Sequence, residues 1–461
     1  MKRFKNVFLF TLIAILALSV TISAFPYNAE YPYGFSSVAN NQQEINDFIW
    51  QEWEQWKSER ITSQGAGGYR RVQRCAADDF DSVSEGLAYG MLLAVYFNEQ
   101  DLFDDLYGYV SLYKNSRGLM GWQIDAQGNI VGSGGANAAT DADEDIALAL
   151  IFADSVWGSN ASVNYEQEAR NFLDALMAYC VEPGTYVLKP GDVWGGSNVT
   201  NPSYFAPAWY KVFADFSGNQ DWLRVVDSSY DIVENVKNFN SGTGLVPDWC
   251  RADGSQASGM GYDFSYDAIR YPWRTAIDYS WYGDQRAKTN VDLSNQFFNN
   301  IGVNNLNAVY TITGQPSGSP ANATFVSMIA AGSMTGYNMN FAQDLLELNI
   351  ATKDSGPQYN YYGNSLRLLS LLYMSGNFPN LYEYDGSDPD DPDDPDPEVI
   401  LGDVNGDGLV NSMDYTLLSR YILSEITEFP CENGVIAADI NEDSVVDSRD
   451  LSLLGRIILG N

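Results

Sequence analysis

Ala139-Thr140-Asp141-Ala142-Asp143-Glu144-Asp145-Ile146-Ala147-Leu148-Ala149-Leu150 sets four acids within five residues at the opening of an apolar helical stretch. Acidic side chains are favoured at a helix N-terminus, where unpaired N–H groups and the helix dipole concentrate positive potential. Asp141 and Glu144 also have the spacing of a capping box. The segment reads as a capped helix, as a carboxylate aimed at a helix mouth, or as both, since a cap points its carboxylate there.

Outward from this stretch the same periodicity recurs. Apolar residues at helical spacing fall near 42–58, 84–99, 101–113, 143–157, 163–181, 203–216, 220–238, 264–283, 290–302, 322–334, 339–349 and 361–374, broken by Gly/Asn/Ser loops. About twelve helices in one region predict an all-α domain of six helical hairpins closed into an (α/α)6 barrel, with an irregular all-α domain as the alternative. Strand signals are few; Thr185-Tyr186-Val187-Leu188 is one. Residues 25–37 form an extended leading segment rich in Pro, Tyr and Gly. Ser387-Asp388-Pro389-Asp390-Asp391-Pro392-Asp393-Asp394-Pro395-Asp396-Pro397 cannot build a core, because proline and charge repulsion hold it extended.

At the N-terminus Lys2, Arg3 and Lys5 precede an apolar run from Val7 to Val20 and then Ser23-Ala24, the pattern of a cleaved export signal. The run is short for a membrane span. The expected organisation is a signal peptide at 1–24, a helical domain at 25–384, an Asp/Pro linker at 385–399 and a small α domain at 400–461. The protein is expected to be secreted and extracellular, with no membrane partner.

The net charge is −35, and residues 385–461 carry 19 acids against 3 bases, so nearly half of it lies in the tail. Such a surface disfavours nucleic acid and anionic lipid and suits a neutral polymer. The chain has no histidine, which excludes Ser-His-Asp triads, Cys-His dyads and His-ligated zinc sites. Hydrolytic chemistry must then run on carboxylates, tyrosines or lysines. Cys75, Cys180, Cys250 and Cys431 match no zinc spacing, and most are expected as free buried thiols. Aromatics make up 14% of the chain, with 11 Trp and 30 Tyr, more than a core requires and suited to a cleft that stacks sugar rings.

Inverting glycoside hydrolysis needs one protonated carboxyl and one carboxylate with room for a water between them. Three carboxylates have unusual settings. Glu85, in Ser82-Val83-Ser84-Glu85-Gly86-Leu87, precedes small residues at the mouth of an apolar helix, where its neutral form would be favoured. It reads equally as a first-turn Glu on the helix dipole. Asp141 is the second, with helix capping as its structural alternative. Asp267, in Tyr266-Asp267-Ala268-Ile269-Arg270-Tyr271-Pro272-Trp273-Arg274, has Arg270 three residues on, which could keep it ionised as a base or form a purely structural pair.

The C-terminal region contains a duplicated loop. Asp403, Asn405, Asp407, Asn411 and Asp414 repeat 36 residues later as Asp439, Asn441, Asp443, Asp447 and Asp450. Oxygen side chains at loop positions 1, 3, 5, 9 and 12, with the position-7 carbonyls of Leu409 and Val445, wrap a hard cation such as calcium. Each loop is followed, and not preceded, by a helix. This paired half-EF-hand resembles a type I dockerin, which implies two structural Ca2+ sites and a cohesin domain of a scaffold protein as partner. Ser412, Met413, Ser448 and Arg449 occupy the positions that cohesins read in dockerins.

The three carboxylate segments together resemble the signature segments of glycoside hydrolase family 8, over roughly 30–380. The chain is most similar to the cellulosomal endoglucanases of that family; Gly121-Trp122, Lys189-Pro190-Gly191-Asp192-Val193-Trp194-Gly195-Gly196 and Ser203-Tyr204-Phe205-Ala206-Pro207-Ala208-Trp209 follow that type too. The resemblance implies hydrolysis of β-1,4-glucan with inversion and no catalytic cofactor. Glu85 would be the proton donor and Asp267 the base. Asp141 would bind sugar at the cleavage point and help hold the water. Trp122, Trp194, Tyr204, Trp209, Tyr266, Arg270, Tyr271 and Tyr361 are the candidate substrate contacts. Endo-xylanase, mixed-linkage glucanase, chitosanase and a non-catalytic glycan-binding scaffold component remain the alternatives.

Overall fold

In the computed structural model the described residues are 25–159, 163–356, 360–383, 400–405, 410, 412–424, 426, 429, 431, 434–441 and 445–459. The chain divides into two units, Met1–Gly386 and Ser387–Asn461. The export signal and the linker expected at 385–399 lie outside the described residues.

In chain order the first unit contains α1 (Gln42–Arg60), α2 (Ser84–Tyr96), α3 (Gln100–Leu112), α4 (Thr140–Trp157), α5 (Tyr165–Tyr179), α6 (Pro207–Ser217), α7 (Asp221–Val236), α8 (Tyr271–Tyr282), α9 (Gln285–Ile301), α10 (Ala323–Gly332), α11 (Met339–Ala351) and α12 (Tyr361–Met374). Two kinds alternate. The even-numbered helices are buried on nearly all sides, and every residue of α10 is inside. The odd-numbered ones bury a single face, as α7 does with Trp222, Val225, Val226, Ser229, Tyr230, Ile232, Val233 and Val236. A helix apolar all round must be enclosed, and an amphipathic one lies at a surface. The contacts close accordingly: α2, α4, α6, α8, α10 and α12 each pack on the next, and α12 packs back on α2. Each odd-numbered helix covers an inner one, α1 on α12 and α3, α5, α7, α9 and α11 on α2, α4, α6, α8 and α10. This is the expected (α/α)6 barrel.

Aromatic rings fill the ring's interior. Phe378 lies 4.3 Å from Tyr96, 6.1 Å from Trp281 and 6.4 Å from Trp209, with Trp209 stacked on Trp281 at 5.4 Å. The strands are two-residue antiparallel pairs: β1 (Ile61–Thr62) with β2 (Arg71–Val72), β3 (Ser82–Val83) with β4 (Gln123–Ile124), and β5 (Asp263–Phe264) with β6 (Tyr310–Thr311). β3 runs directly into α2, and β5 ends three residues before Asp267.

Three local expectations are corrected. Helical pattern at 203–216 and 264–283 begins too early, because 3-10 turns at Pro202–Tyr204 and Ala268–Arg270 precede α6 and α8. Pro207 and Pro272 mark the true starts, since proline suits the first turn of a helix. Thr185–Leu188 is no strand; Leu188 makes one bridge to Val181, and Tyr186 turns the chain with φ of 57°. The N-cap of α4 is Ala139 without a side-chain cap, so Asp141 is not the head of a capping box.

The second unit contains α13 (Ser412–Ile422), α14 (Gly434–Ala438) and α15 (Ser448–Leu459), with Val404, Leu418, Phe429, Ala437, Ala438 and Leu454 as its core. No helix among the described residues is long and apolar enough to cross a membrane.

Candidate active site

The four acids of the opening stretch take four different roles. Asp143 accepts the Met120 N–H at 2.9 Å, and Glu144 accepts the Tyr210 hydroxyl at 2.9 Å. Asp145 forms a two-pronged pair with Arg274 at 2.8 and 2.7 Å and accepts the Trp209 indole N–H at 2.7 Å. Asp141 accepts Arg270 Nη1 at 2.5 Å. Asp141 and Asp145 are one turn apart on α4, and Arg270 and Arg274 are one turn apart at the head of α8. Two Asp–Arg rungs therefore cross the barrel interior, in line with the i, i+4 geometry of both helices. The Asp145–Arg274 rung is fully buried; the Asp141–Arg270 rung is buried too, at 5% and 2% side-chain exposure.

Arg270 joins the three candidate carboxylates. Its Nη1 donates to Asp141 and, at 3.0 Å, to Glu85 Oε2; its Nη2 donates to Ser203 Oγ at 3.1 Å and Asp267 Oδ1 at 3.3 Å. Tyr361 donates its hydroxyl to Glu85 Oε1 at 3.1 Å. The approach works because residue 86 is glycine: a Cβ there would stand 2.7 Å from that hydroxyl. Glu85 opens α2, Asp141 α4, Ser203 precedes α6, Arg270 heads α8, and Tyr361 opens α12. Asn322, the N-cap of α10, donates to the Tyr266 hydroxyl at 3.2 Å. The inner helices thus begin at one rim, and the positive ends of their dipoles face the cluster.

Glu85, Asp267, Tyr266, Tyr361 and Tyr362 line a cleft of ≈ 600 Å³ together with Arg74, Cys75, Ala77, Asp78 and Val83. Burial pushes the Glu85 carboxyl up to about 7; the Arg270 charge and the Tyr361 hydrogen bond pull the other way without cancelling it, and Asp141 and Asp267 add to the rise. Burial also raises Asp267, and Arg270 offsets only part of this. Arg270 does pair with Asp267, as the spacing allowed, and its charge favours the ionised carboxylate while desolvation is the larger effect.

Of the aromatic candidates, Trp122, Trp194 and Tyr266 are exposed. Trp122 is held beside the head of α2, its carbonyl accepting the Ser84 N–H at 3.0 Å. The Trp194 loop is tied to α4 by Asp192, which accepts the Ala138 N–H at 3.0 Å. Tyr204 is half-buried under the Arg270 guanidinium, 5.2 Å from its ring. Tyr361 is buried and acts on Glu85. Trp209 and Tyr271 are corrections: both are core residues, Trp209 at 0% and Tyr271 at 2% exposure, and neither offers a face to a sugar. Reading the sequence missed Trp249, whose ring lies 5.5 Å from Trp194 and 6.3 Å from Tyr204, and Tyr362, which donates to the Tyr266 carbonyl at 2.8 Å. Pro247-Asp248-Trp249 sits in an irregular segment with no periodicity to draw the eye. Cys75, Cys180 and Cys250 are free and buried, as expected, and Cys431 is half-buried.

In the second unit, described residues near the two ends of each loop are bonded together. Asp414 accepts the N–H groups of Val404 and Asn405 at 3.1 and 3.3 Å. Asp450 accepts those of Asn441 and Asp447 at 3.2 and 2.9 Å. Position 12 thus returns to the start of each loop, and Asp403, Asp414 and Asp450 are buried. The described members Asp403, Asn405 and Asp414, and Asp439, Asn441, Asp447 and Asp450, offer oxygen donors, the ligand chemistry a hard cation takes. Asp439 lies beside Asn441 in the second loop; Val445 is exposed, and the Asp447 carboxylate pairs with Arg449 at 2.8 Å. Among the described residues no three acids gather into a metal-holding group. Asp407, Leu409, Asn411 and Asp443 lie outside the described residues.

A closed double ring of helices, with an arginine-bridged set of carboxylates in an open cleft at one rim, defines a glycosidase of the (α/α)6 class. Residues 23–376 match the model for Glycosyl hydrolases family 8, and 401–459 match the Dockerin type I domain. The chain is 56% identical to Endoglucanase A of Acetivibrio thermocellus over 90% of its own length and 88% of that protein. It is 52% identical to Endoglucanase 2 of Ruminiclostridium josui, over 93% and 92%. Among solved structures, it is similar to a beta-1,3-1,4-glucanase from Paenibacillus sp. X4, with a TM-score of 0.71 and 29% identity over 77% of this chain and 99% of that one. The chain belongs to glycosyl hydrolase family 8 and carries a type I dockerin.

Proposed function

We propose that this protein is a secreted endo-β-1,4-glucanase that cleaves internal bonds of cellulose and related β-glucans with inversion. The observation that carries the reading is the Arg270 bridge, which gathers Glu85, Asp141 and Asp267 while burial pushes the Glu85 carboxyl up to about 7, so that part of it keeps its proton near neutral pH. Glu85 donates its proton to the glycosidic oxygen as that bond breaks. A water attacks the anomeric carbon from the opposite face, and Asp267 takes its proton. As Glu85 becomes an anion, Arg270 Nη1 is already in hydrogen-bonding range to stabilise it. Asp141, held by the same nitrogen, binds a hydroxyl of the sugar at the cleavage point and helps seat the water. Trp122, Trp194, Tyr204 and Tyr266 supply the aromatic floor along which glucose rings stack. The names of its relatives support the glucan assignment.

Residues 25–384 are the catalytic domain in this reading, 385–399 the linker and 400–461 the docking module, preceded by an export signal at 1–24. Two calcium ions stiffen the docking module through Asp403, Asn405, Asp407, Leu409, Asn411 and Asp414, and through Asp439, Asn441, Asp443, Val445, Asp447 and Asp450. Its partner is a cohesin on an extracellular cellulosomal scaffold. Mixed-linkage glucan is the second substrate reading, favoured by the likeness to the Paenibacillus glucanase.

The test is release of reducing ends from carboxymethylcellulose, mixed-linkage glucan, xylan and chitosan by the full chain and by Glu85→Gln. Glucan activity that disappears in the variant supports both substrate class and acid. Activity confined to xylan or chitosan moves the substrate, and inactivity on all four refutes the enzyme reading.

A further inference from the structure

An aspartate at a helix start ordinarily turns its carboxylate onto the first free N–H groups. Asp267 occupies that position before the turn Ala268–Arg270, yet its side chain caps nothing. The N–H groups are taken by a different residue. Asp248 Oδ1 accepts from Ser265, Asp267 and Ala268 at 3.2, 3.1 and 2.8 Å, and the Asp248 N–H donates to the Asp263 carbonyl at 2.8 Å. The neighbouring Trp249 side chain favours the ionised form of Asp267. The dipeptide 248–249 therefore holds the segment from both sides, by its backbone and by its carboxylate. With its capping duty removed, the Asp267 carboxylate stays 37% exposed in the cleft, with Arg270 Nη2 as its ion-pair partner.

We propose that Asp248 is a positioning residue for the base: it caps the turn in place of Asp267 and so leaves the Asp267 carboxylate free to hold the attacking water. This rests on Asp267 being the base. Asp248 itself never reaches the reacting atoms. Burial, with the Asp267 charge adding to it, pushes the Asp248 carboxyl up to about 6 against the pull of the N–H groups it accepts. The other charged groups that act on Asp267 are Arg270, Asp141 and Glu85.

The experiment compares full-length Asp248→Ala, Asp248→Asn and Asp267→Asn on a soluble β-glucan, measuring kcat, KM and the pH profile of kcat/KM, with melting temperature as the check on folding. Asp248→Ala should lower kcat by about ten- to a hundredfold with KM within about threefold of wild type, the signature of lost transition-state alignment. Asp248→Asn keeps an acceptor oxygen for the three N–H groups, so it should recover most of kcat. A kcat loss at nearly constant KM, with the melting temperature held and the acceptor-keeping variant restoring the rate, is a pattern that a purely structural role does not produce. Wild-type kcat in Asp248→Ala, or equal losses in Ala and Asn, overturns the proposal. Asp267→Asn separates the two readings: if it stays active, the base assignment fails and takes this inference with it. If it is inactive while Asp248→Ala is normal, only the inference fails.

Discussion

Glu85→Gln should make the catalytic domain more stable in alkali while abolishing its chemistry. Burial raises the folded-state pKa of Glu85 to about 7 from an ordinary 4.5, even though its side chain keeps 22% of its exposure. A raised carboxyl favours the folded state fully below its unfolded pKa, and that contribution is lost as pH rises through about 7. Glutamine holds the neutral form at every pH and still accepts the Tyr361 hydroxyl. A shift of that size corresponds to about 3 kcal/mol above pH 8 and to nothing below pH 4. At roughly 2 cal/mol/K per residue, a domain of this length has an unfolding entropy of about 0.75 kcal/mol/K, so the gain is about 4 °C in melting temperature. The assay is calorimetry of the full chain and the variant from pH 4 to 9, following the larger transition. A melting difference that stays flat across that range, or that favours the wild type in alkali, would refute the argument that burial makes Glu85 an acid.

Other substitutions separate the site from its support. Activity should follow a bell-shaped pH profile, its basic limb near 7 from Glu85 and its acidic limb above the ordinary Asp range because Asp267 is raised too; an acidic limb at or below that range contradicts the burial of the base. Arg274→Met should cost about 3–5 kcal/mol of stability, since it strands the buried Asp145 carboxylate, as read by denaturant unfolding. Trp209→Ala should destabilise by about 3–5 kcal/mol, and Trp194→Ala should instead raise KM with little change in melting temperature; an exchange of those two outcomes would reverse the assignment of core and cleft. Chelation of calcium should abolish cohesin capture and leave hydrolysis of soluble glucan unchanged, measured side by side.

The inner helices were legible because a barrel's enclosed helices must be apolar over their length, and α4, α10 and α12 announce themselves that way. The sequence was least readable where helices begin. At Tyr204 and Tyr266 aromatic residues continue the apolar rhythm although the backbone has left the helix; the prolines at 207 and 272 were the available signal. Glu85, Asp141, Asp267 and Arg270 could be named because charge at the head of an apolar stretch is costly without a purpose. Which aromatic ring faces the cleft could not. Trp209 lies inside α6, where the packing of three neighbouring rings decides its direction, and Trp249 lies on a loop whose path depends on contacts with segments 45 or more residues away in sequence. Asp248 was invisible for a similar reason, since its role is defined by N–H groups on another segment.

The ring closes through its last member. Tyr361, which holds Glu85, opens the helix that packs back against α2, 276 residues after the carboxyl it touches. A chain that stops short of residue 361 already contains Glu85, Asp141, Arg270 and Asp267, but it lacks the helix that seals the wall beside them. Nascent or proteolytically shortened molecules are therefore expected to be inert although the catalytic sequence is intact. Competence should switch on only with the final hairpin, making hydrolytic activity itself a report that the whole domain has been synthesised and folded.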